Sequence, residues 1–293
     1  MNNAIIVLNY NDYKNTIELV NIIKNYEQIN YIIIVDNCST NNSFEKLKEL
    51  QSNKTKIIKT ERNGGYAYGN NYGIKYAIRN YDIDYVIIAN PDIRFEENTI
   101  ELINDTINSQ ERCAIVAPIL DENEENYWKI PKYHNILACP FLILGKKIGN
   151  SKYKKNTYEI KKVDVVSGAF FAITKKAYLD INGFDEDTFL YFEENIIACR
   201  LKQIDYNSYI ISKARFKHKA STSIDMSYKS KIGPYKIYIK SVNIYANKYL
   251  KINTLQYVIL YIFICLGYLE RYVYDFFIRM KTLIKFWWDK KWI

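Results

Sequence analysis

AIIVLN, from Ala4 to Asn9, is a run of five apolar residues closed by a polar one, and it reads as a buried strand. The pattern returns at Tyr31 to Asp36 (YIIIVD), Lys56 to Lys59, Tyr85 to Ala89 (YVIIA) and Ala114 to Ala117. Stretches of helical spacing lie between: one carrying Ile17, Val20, Asn21 and Lys24, then Phe44 to Leu50, Tyr66 to Arg79, and Glu97 to Ser109. Buried strands alternating with helices predict an α/β fold with a mainly parallel central sheet covered on both faces. Such sheets bind ligands beyond the carboxyl ends of their strands. Those ends carry Asn9-Tyr10, Asp36-Asn37, Asn63-Gly64-Gly65 and Asn90-Pro91-Asp92.

From Asp121 to Lys162 the alternation stops. This polar, aromatic stretch holds Lys146, Lys147, Lys152, Lys154, Lys155, Lys161 and Lys162, and reads as an insertion. Strand-like segments return at Val163 to Val166, Phe170 to Thr174 and Ser208 to Ile211, with a helix at Lys175 to Ile181. Beyond about Ser227 the chain reads as helical. Apolar residues recur every three or four positions from Leu255, through Ile262, Leu269 and Phe276, to Trp287. That spacing predicts one apolar face of a long helix or helical hairpin. Arg271, Arg279, Lys281, Lys285, Lys290 and Lys291 flank it, with Trp287, Trp288 and Trp292. Two readings stand: a helix packed on the protein body, or an interfacial membrane anchor. Leu255 to Leu269, about 15 residues, is short of the ~20 needed to span a bilayer.

The formal charge of +9 suits an anionic partner such as a nucleotide, a diphosphate or an acidic membrane surface. No nucleic-acid-binding signature accompanies it, so DNA or RNA is not an expected partner. Five scattered cysteines without a CxxC point to a reducing compartment and away from a disulfide framework or structural zinc. Two histidines, His134 and His218, exclude a multi-histidine metal site. The apolar run Ala4 to Leu8 is too short for a signal peptide.

The run Gly183 to Asn195, GFDEDTFLYFEEN, ends in adjacent carboxylates, Glu193 and Glu194. Apolar neighbours and a second carboxylate both raise a carboxyl pKa toward the range of a general base. Acids are equally at home in a first helical turn. Asp36 can accept hydrogen bonds from a base or ribose, or form a turn with Asn37. Gly64 and Gly65 permit close backbone approach, and the helix start behind them can hold an anion; a tight turn needs the same residues. Neither a Walker loop nor GxGxxG spacing is present. Asp92 at a strand end can hold a divalent cation shared with substrate phosphates, or sit in a Pro-Asp turn. His218 gains meaning if it meets Asp92 and Glu194 in space.

Taken in order, six segments resemble the family 2 glycosyltransferases, above all the rhamnosyltransferase-like members. They are IIVLNYNDY (Ile5 to Tyr13), IIIVDNCST (Ile32 to Thr40), NGGYAYGNNYGI (Asn63 to Ile74), ANPD (Ala89 to Asp92), VDVVSGAFFAI (Val163 to Ile173) and GFDEDTFLYFEE (Gly183 to Glu194). The resemblance implies a GT-A fold and inverting transfer of a sugar, rhamnose first, from a dTDP- or UDP-sugar to a glycan or lipid-diphosphate-linked acceptor in cell-surface polysaccharide assembly. It implies a GT-A domain over residues 1–226, with nucleotide-binding (1–118) and acceptor (119–226) halves, and a helical extension over 227–293. Asn9, Tyr10 and Asp36 would lie near the nucleoside, with Asn63, Gly65, Asn70 and Asn90 around the donor. Asp92, helped by His218, would hold Mg²⁺ or Mn²⁺. Glu194 would be the base and Glu193 its helper. The enzyme would work in the cytoplasm, peripheral to the inner face of the membrane, and an oligomer stays open.

One departure stands out. The family pattern has another acid two positions after the base, where this chain has Ile196. An inactive, donor-binding scaffold is therefore the alternative. A sugar-nucleotide pyrophosphorylase would need a Gly-rich, Arg-containing loop after the first strand, which LNYNDY does not supply.

Overall fold

The structure is a computed structural model. It describes residues 1–121, 126–142, 158–219 and 232–290, with the backbone alone for residue 279 and residues 281–290. The chain forms two compact units, Met1–Ile130 with Lys152–Ser221, and Pro131–Ser151 with Thr222–Ile293.

In chain order the first unit contains β1 (Asn3–Asn9), α1 (Tyr13–Ile23), β2 (Tyr31–Asp36), α2 (Ser43–Lys48), β3 (Thr55–Lys59), α3 (Gly65–Asn80), β4 (Tyr85–Ala89), β5 (Ile93–Phe95), α4 (Asn98–Ser109), β6 (Cys113–Leu120) and β7 (Tyr127–Trp128). The short helix α5 (Tyr133–Ile136) belongs to the second unit. The first unit resumes with β8 (Ile160–Val163), β9 (Val165–Val166), β10 (Phe170–Thr174), α6 (Lys175–Asp180), α7 (Glu193–Gln203) and β11 (Asn207–His218). The second closes with α8 (Ile232–Ile244), a π-helical turn (Tyr245–Tyr249) and α9 (Thr254–Lys290).

The main sheet runs β3-β2-β1-β4-β10-β6-β11-β5, with β8 also on β11. The strands β3, β2, β1 and β4 are parallel, as expected. Their continuous apolar runs feed two cores. Ile6, Ile33 and Ile88 join Ile74 and Ala77 of α3 on one side. Ile5, Ile32 and Ile87 join Leu19 and Ile23 of α1 and Ile100 of α4 on the other. Alternate residues point to opposite faces, so a strand covered on both sides has no polar position to spare.

Three features differ from the sequence reading. β10 runs antiparallel between β4 and β6. Its sequence FFAIT is apolar in either direction, so composition carries no sense of chain direction. The strand expected over Val163 to Val166 divides into β8 and β9 at Asp164, whose carboxylate accepts hydrogen bonds from the Ile130 amide and Lys202 Nζ. The last strand does not stop at Ile211. It passes a register shift between Ile211 and Arg215 and continues to His218, where it pairs with β5.

In the second unit, Tyr133 donates to the Gln256 carbonyl, and Tyr245 to that of Pro131. The segment 131–142 is thus bound to the C-terminal helices. The lysines Lys146, Lys147, Lys152, Lys154 and Lys155 of the expected insertion lie outside the described residues, as do Trp292 and the side chains of Trp287 and Trp288.

Candidate active site

The carboxyl ends of β1 and β2 meet in register, Asn9 beside Asp36. Both are fully buried. Asn9 Nδ2 donates to Asp36 Oδ1 at 2.9 Å, and the Ser39 amide donates to Oδ2 at 3.1 Å. Thr16 Oγ1 donates to Asn9 Oδ1 and fixes the orientation of the amide. Tyr10, one residue on, is 39% exposed. The pair leads to the glycine turn, because Asn37 Nδ2 donates to Asn63 Oδ1 and to the Gly65 carbonyl.

Gly65 opens α3 with φ +86°, and a Cβ there would stand 1.9 Å from the Phe189 carbonyl oxygen. That carbonyl accepts the Tyr66 amide at 2.9 Å. The Gly65 amide is taken by Asn63 Oδ1. Two N–H groups of this helix start are therefore spent holding the turn and the acidic run together, where the sequence suggested an anion. Asn70 is fully buried inside α3; its Nδ2 returns to the Tyr66 carbonyl and its Oδ1 has no partner. Asn71, which sequence reasoning missed, clamps the other end of the acidic run. It donates to the Phe184 carbonyl and Glu186, and accepts from the Phe184 amide and the Tyr178 hydroxyl.

The acidic run ends in two consecutive residues of positive φ, Tyr191 (+75°) and Phe192 (+69°). Such conformations cost about 1–3 kcal/mol each and persist only where the surroundings impose them. They aim the first turn of α7. Glu193, its first residue, is buried, and its Oε1 has no partner. Glu194 is half-buried, and its Oε1 accepts from the Gly168 amide at 3.1 Å. Tyr66 donates to the Gly168 carbonyl at 2.6 Å. Burial first, then the neighbouring Glu194, raises the Glu193 carboxyl well above the ordinary range. Burial also raises Glu194, against the amides of Glu194 itself and Gly168, which favour its ionised form. Tyr66 is raised by burial and then by the two carboxylates. Trp128 Nε1 donates to Asn195 Oδ1 at 2.8 Å and braces the same turn. Ile196 is 1% exposed.

The Asn90 amide donates to the Ala169 carbonyl at 2.8 Å. Gly168 and Ala169 are consecutive, so one short segment anchors both Glu194 and the Asn90-Pro91-Asp92 turn. Asp92 is buried; His218 Nε2 lies 3.2 Å from its Oδ1, and its Oδ2 has no partner. The register His218 to Ile93 in the β11–β5 ladder brings this pair together. The hydrogen bond to Asp92 raises the His218 pKa against desolvation. Among the described residues, no three His, Cys, Asp or Glu side chains cluster as metal ligands. A buried carboxylate oxygen without a partner, beside an imidazole, fits a divalent cation whose other positions go to a diphosphate and water. Asp92 and His218 are the residues that could hold it.

The structure thus joins Asn9, Asp36, Asn63, Gly65, Asn90 and Glu194 through one hydrogen-bonded rim, and joins His218 to Asp92. Sequence reasoning missed Gly168, Tyr66 and Asn71 as members, although all three lie inside motifs it had marked.

The chain is similar to known proteins over most of its length. The chain is 25% identical over 205 residues to the low-salt glycan biosynthesis hexosyltransferase Agl10 of Haloferax volcanii, covering 70% of this chain and 62% of that protein. It is 23% identical over 213 residues to the N-acetylglucosaminyl-diphospho-decaprenol L-rhamnosyltransferase of Mycobacterium tuberculosis, covering 66% of this chain and 67% of that one. Among solved structures, GalNAc-T7 with UDP, GalNAc and Mn²⁺ superposes with a TM-score of 0.59 at 14% identity, over 74% of this chain and 44% of that one. At that identity the likeness is one of fold, and it is the GT-A fold. The sequence model of glycosyl transferase family 2 matches residues 4–181, which takes in the Asn9–Asp36 pair, the glycine turn, Asp92 and Gly168, and the chain belongs to that family.

Proposed function

We propose that the chain transfers a sugar, rhamnose first, from a dTDP- or UDP-linked donor to a hydroxyl of a glycan or lipid-diphosphate-linked acceptor, with inversion. The observation that carries this reading is Glu194, held by the Gly168 amide on the segment that also anchors the Asp92 turn. Glu194 takes the acceptor hydroxyl proton: burial raises its proton affinity, and the amides of Glu194 and Gly168 oppose that rise and orient the carboxylate. Glu193, buried beside it with an unpartnered oxygen, keeps its own proton and spares the pair a second charge. Asn9 and Asp36 form a rigid edge for the nucleoside, with Tyr10 exposed beside it, and the Asn63, Gly65, Asn70 and Asn90 region borders the donor. A divalent cation at Asp92 and His218 would supply positive charge for the leaving diphosphate. The rhamnosyltransferase relative named for a decaprenol diphosphate supports the lipid-linked acceptor, and the GalNAc-T7 complex supports UDP and Mn²⁺. The site of action is the cytoplasmic side of a membrane.

The test is donor turnover. A panel of nucleotide-sugars with Mn²⁺ or Mg²⁺ is screened by melting temperature, since a ligand that binds the folded state raises it. The stabilising donor is then offered, isotope-labelled, with lipid-diphosphate acceptors. Transfer that Glu194→Gln lowers by about a hundredfold or more supports the base assignment. Donor binding without turnover across all acceptors would favour the scaffold.

A further inference from the structure

Between Leu255 and Ile278, helix α9 buries Arg271, keeps Glu270 and Asp275 half-buried, and turns most of its apolar side chains outward. Leu260, Ile264, Gly267 and Arg271 form its buried stripe. The Arg271 guanidinium donates to the carbonyls of Pro140 and Gly267 and lies 3.6 Å from the centroid of the Tyr235 ring. Its neighbour Glu270 accepts the Leu142 amide. On the opposite side, Leu255, Val258, Ile262, Leu266, Leu269 and Val273 recur at helical spacing, and all are exposed. Phe276 and Met280 continue the row. Every exposed position from Leu255 to Ile278 is uncharged. A helix on an aqueous surface shows the reverse pattern. The face is about 38 Å long at 1.5 Å per residue.

We infer that this face docks into one leaflet of a bilayer rich in anionic phospholipid, with the helix lying in the plane of the membrane. Charge selects the occupant. Lys248 and Lys251 are exposed just before the helix. The sequence after the face carries Arg279, Lys281, Lys285, Lys290 and Lys291 against a single acid, Asp289. Both ends are therefore basic, and pairing with the same helix of a second copy, in either direction, sets like charge against like. An anionic headgroup layer complements both ends at once. Three of the four tryptophans, Trp287, Trp288 and Trp292, follow the face, and indole rings favour headgroup depth.

The buried stripe decides between lying in the membrane and crossing it. The apolar span Thr254–Ile278 is long enough to cross. Its middle is occupied by α8, whose Tyr235 hydroxyl donates to the Ile264 carbonyl. The helix α8 exposes Lys236 and Lys240. A crossing α9 would carry those lysines into hydrocarbon, which is costly. Lying flat, α9 offers lipid only its apolar face and leaves α8 in water.

The experiment is flotation of the full chain with phosphatidylcholine vesicles, with and without phosphatidylglycerol. Wild type is expected to float with the anionic vesicles and to lose most binding when phosphatidylglycerol is omitted. The variant Leu266→Glu/Leu269→Glu/Val273→Glu, at three exposed positions, is expected to lose roughly tenfold or more in partitioning at an unchanged melting temperature. The milder Leu269→Gln gives a smaller loss and serves if the triple variant does not fold. Equal flotation of wild type and variants, or none by wild type, overturns the inference. So does a lipid-free dimer that the triple variant abolishes, since a second copy would then be the occupant. Neutron reflectometry on a supported bilayer should find protein in one leaflet; density through both overturns the in-plane placement. These readouts require no sugar transfer, so failure here and failure of the proposed activity are separate results.

Discussion

Gly168 and Glu194 are joined by one hydrogen bond, from the backbone amide of the first to the carboxylate of the second, and there is room for it because residue 168 has no side chain. A Cβ at Gly168 would lie 2.9 Å from Glu194 Oε1 and 3.0 Å from the Tyr66 hydroxyl. Gly168→Ala should push the carboxylate off its amide while leaving the nucleoside edge at Asn9 and Asp36 alone. The expected result is a kcat lower by roughly 10–100-fold with donor affinity nearly unchanged. Steady-state kinetics beside donor titration by calorimetry checks it. Weakened donor binding at unchanged kcat would place residue 168 elsewhere in the reaction.

The adjacent carboxylates Glu193 and Glu194 have a signature in stability. Burial raises both above the ordinary glutamate value of 4.5, so the native state binds protons more tightly than the unfolded chain. The stability this contributes is fully present below that value and is lost as pH rises through the raised native one. His218, also raised, acts with the same sign at higher pH. Glu193→Gln removes one titrating group at the buried position. Its urea midpoint should therefore fall less than that of wild type as pH rises above about 4.5. Parallel slopes for the two proteins would mean that Glu193 titrates normally.

The turn at Asp92 makes a separate prediction. Its Oδ2 is buried without a partner, an arrangement that costs free energy unless a cation is near. Asp92→Asn should leave the metal-free melting temperature within a few degrees of wild type, because the loss of the His218 bond is offset by removal of a buried charge. The rise in melting temperature produced by Mn²⁺ with UDP should be lost in the variant. A full Mn²⁺ response in Asp92→Asn would move the cation away from this turn.

What could be read in the sequence follows from how local each feature is. The strands Tyr31–Asp36, Tyr85–Ala89 and Phe170–Thr174 have the ends expected of them, because burial on both faces demands an unbroken apolar run that a polar residue closes. The strand-end positions of Asn9, Asp36 and Asn90 followed from those runs. Long-range pairings were not legible. Nothing local in Asn71 says that its amide clamps Phe184, 113 residues away. Nothing in IRF, Ile93 to Phe95, marks it as a strand, since it exists only because β11 continues past its bulge to meet it. The contact of His218 with Asp92, expected from the family resemblance and not from any local pattern, is delivered by that same extension.

Ile196 stands where the family pattern has an acid, and its position in α7 says what restoring the acid would do. Residues two apart on a helix point roughly 200° apart. Glu194 faces Gly168, while Ile196 is 1% exposed. Ile196→Asp would place a carboxylate without a ready partner in a closed space. The expected cost is about 3 kcal/mol or more, with activity reduced by loss of the first turn of α7. A urea midpoint close to wild type, with raised activity, would show that Ile196 handicaps an acceptor site.

The sharpest test of how the motifs depend on one another is Gly65. Its φ of +86° is open to glycine, and an added Cβ would lie 1.9 Å from the Phe189 carbonyl oxygen. Backbone on both sides of that contact leaves no flexible side chain to yield. Gly65→Ala must therefore part α3 from the acidic run and break the bond from the Tyr66 amide to Phe189. Tyr66 also reaches Gly168, so the disturbance passes directly to the seat of Glu194. A loss of roughly 3 kcal/mol is expected, from the strained backbone and the broken contact together. Gly64→Ala is the comparison: its φ of −92° is open to alanine, and its Cβ, 2.4 Å from Tyr68 Cγ and 2.7 Å from Tyr68 Cβ, would displace a residue of α3 without touching the acidic run. Urea denaturation of both variants, with donor turnover on the fraction that folds, should find Gly65→Ala the worse in both measures. If the two behave alike, the glycine pair serves only the turn, and the link from the glycine motif to the carboxylate is not mechanical.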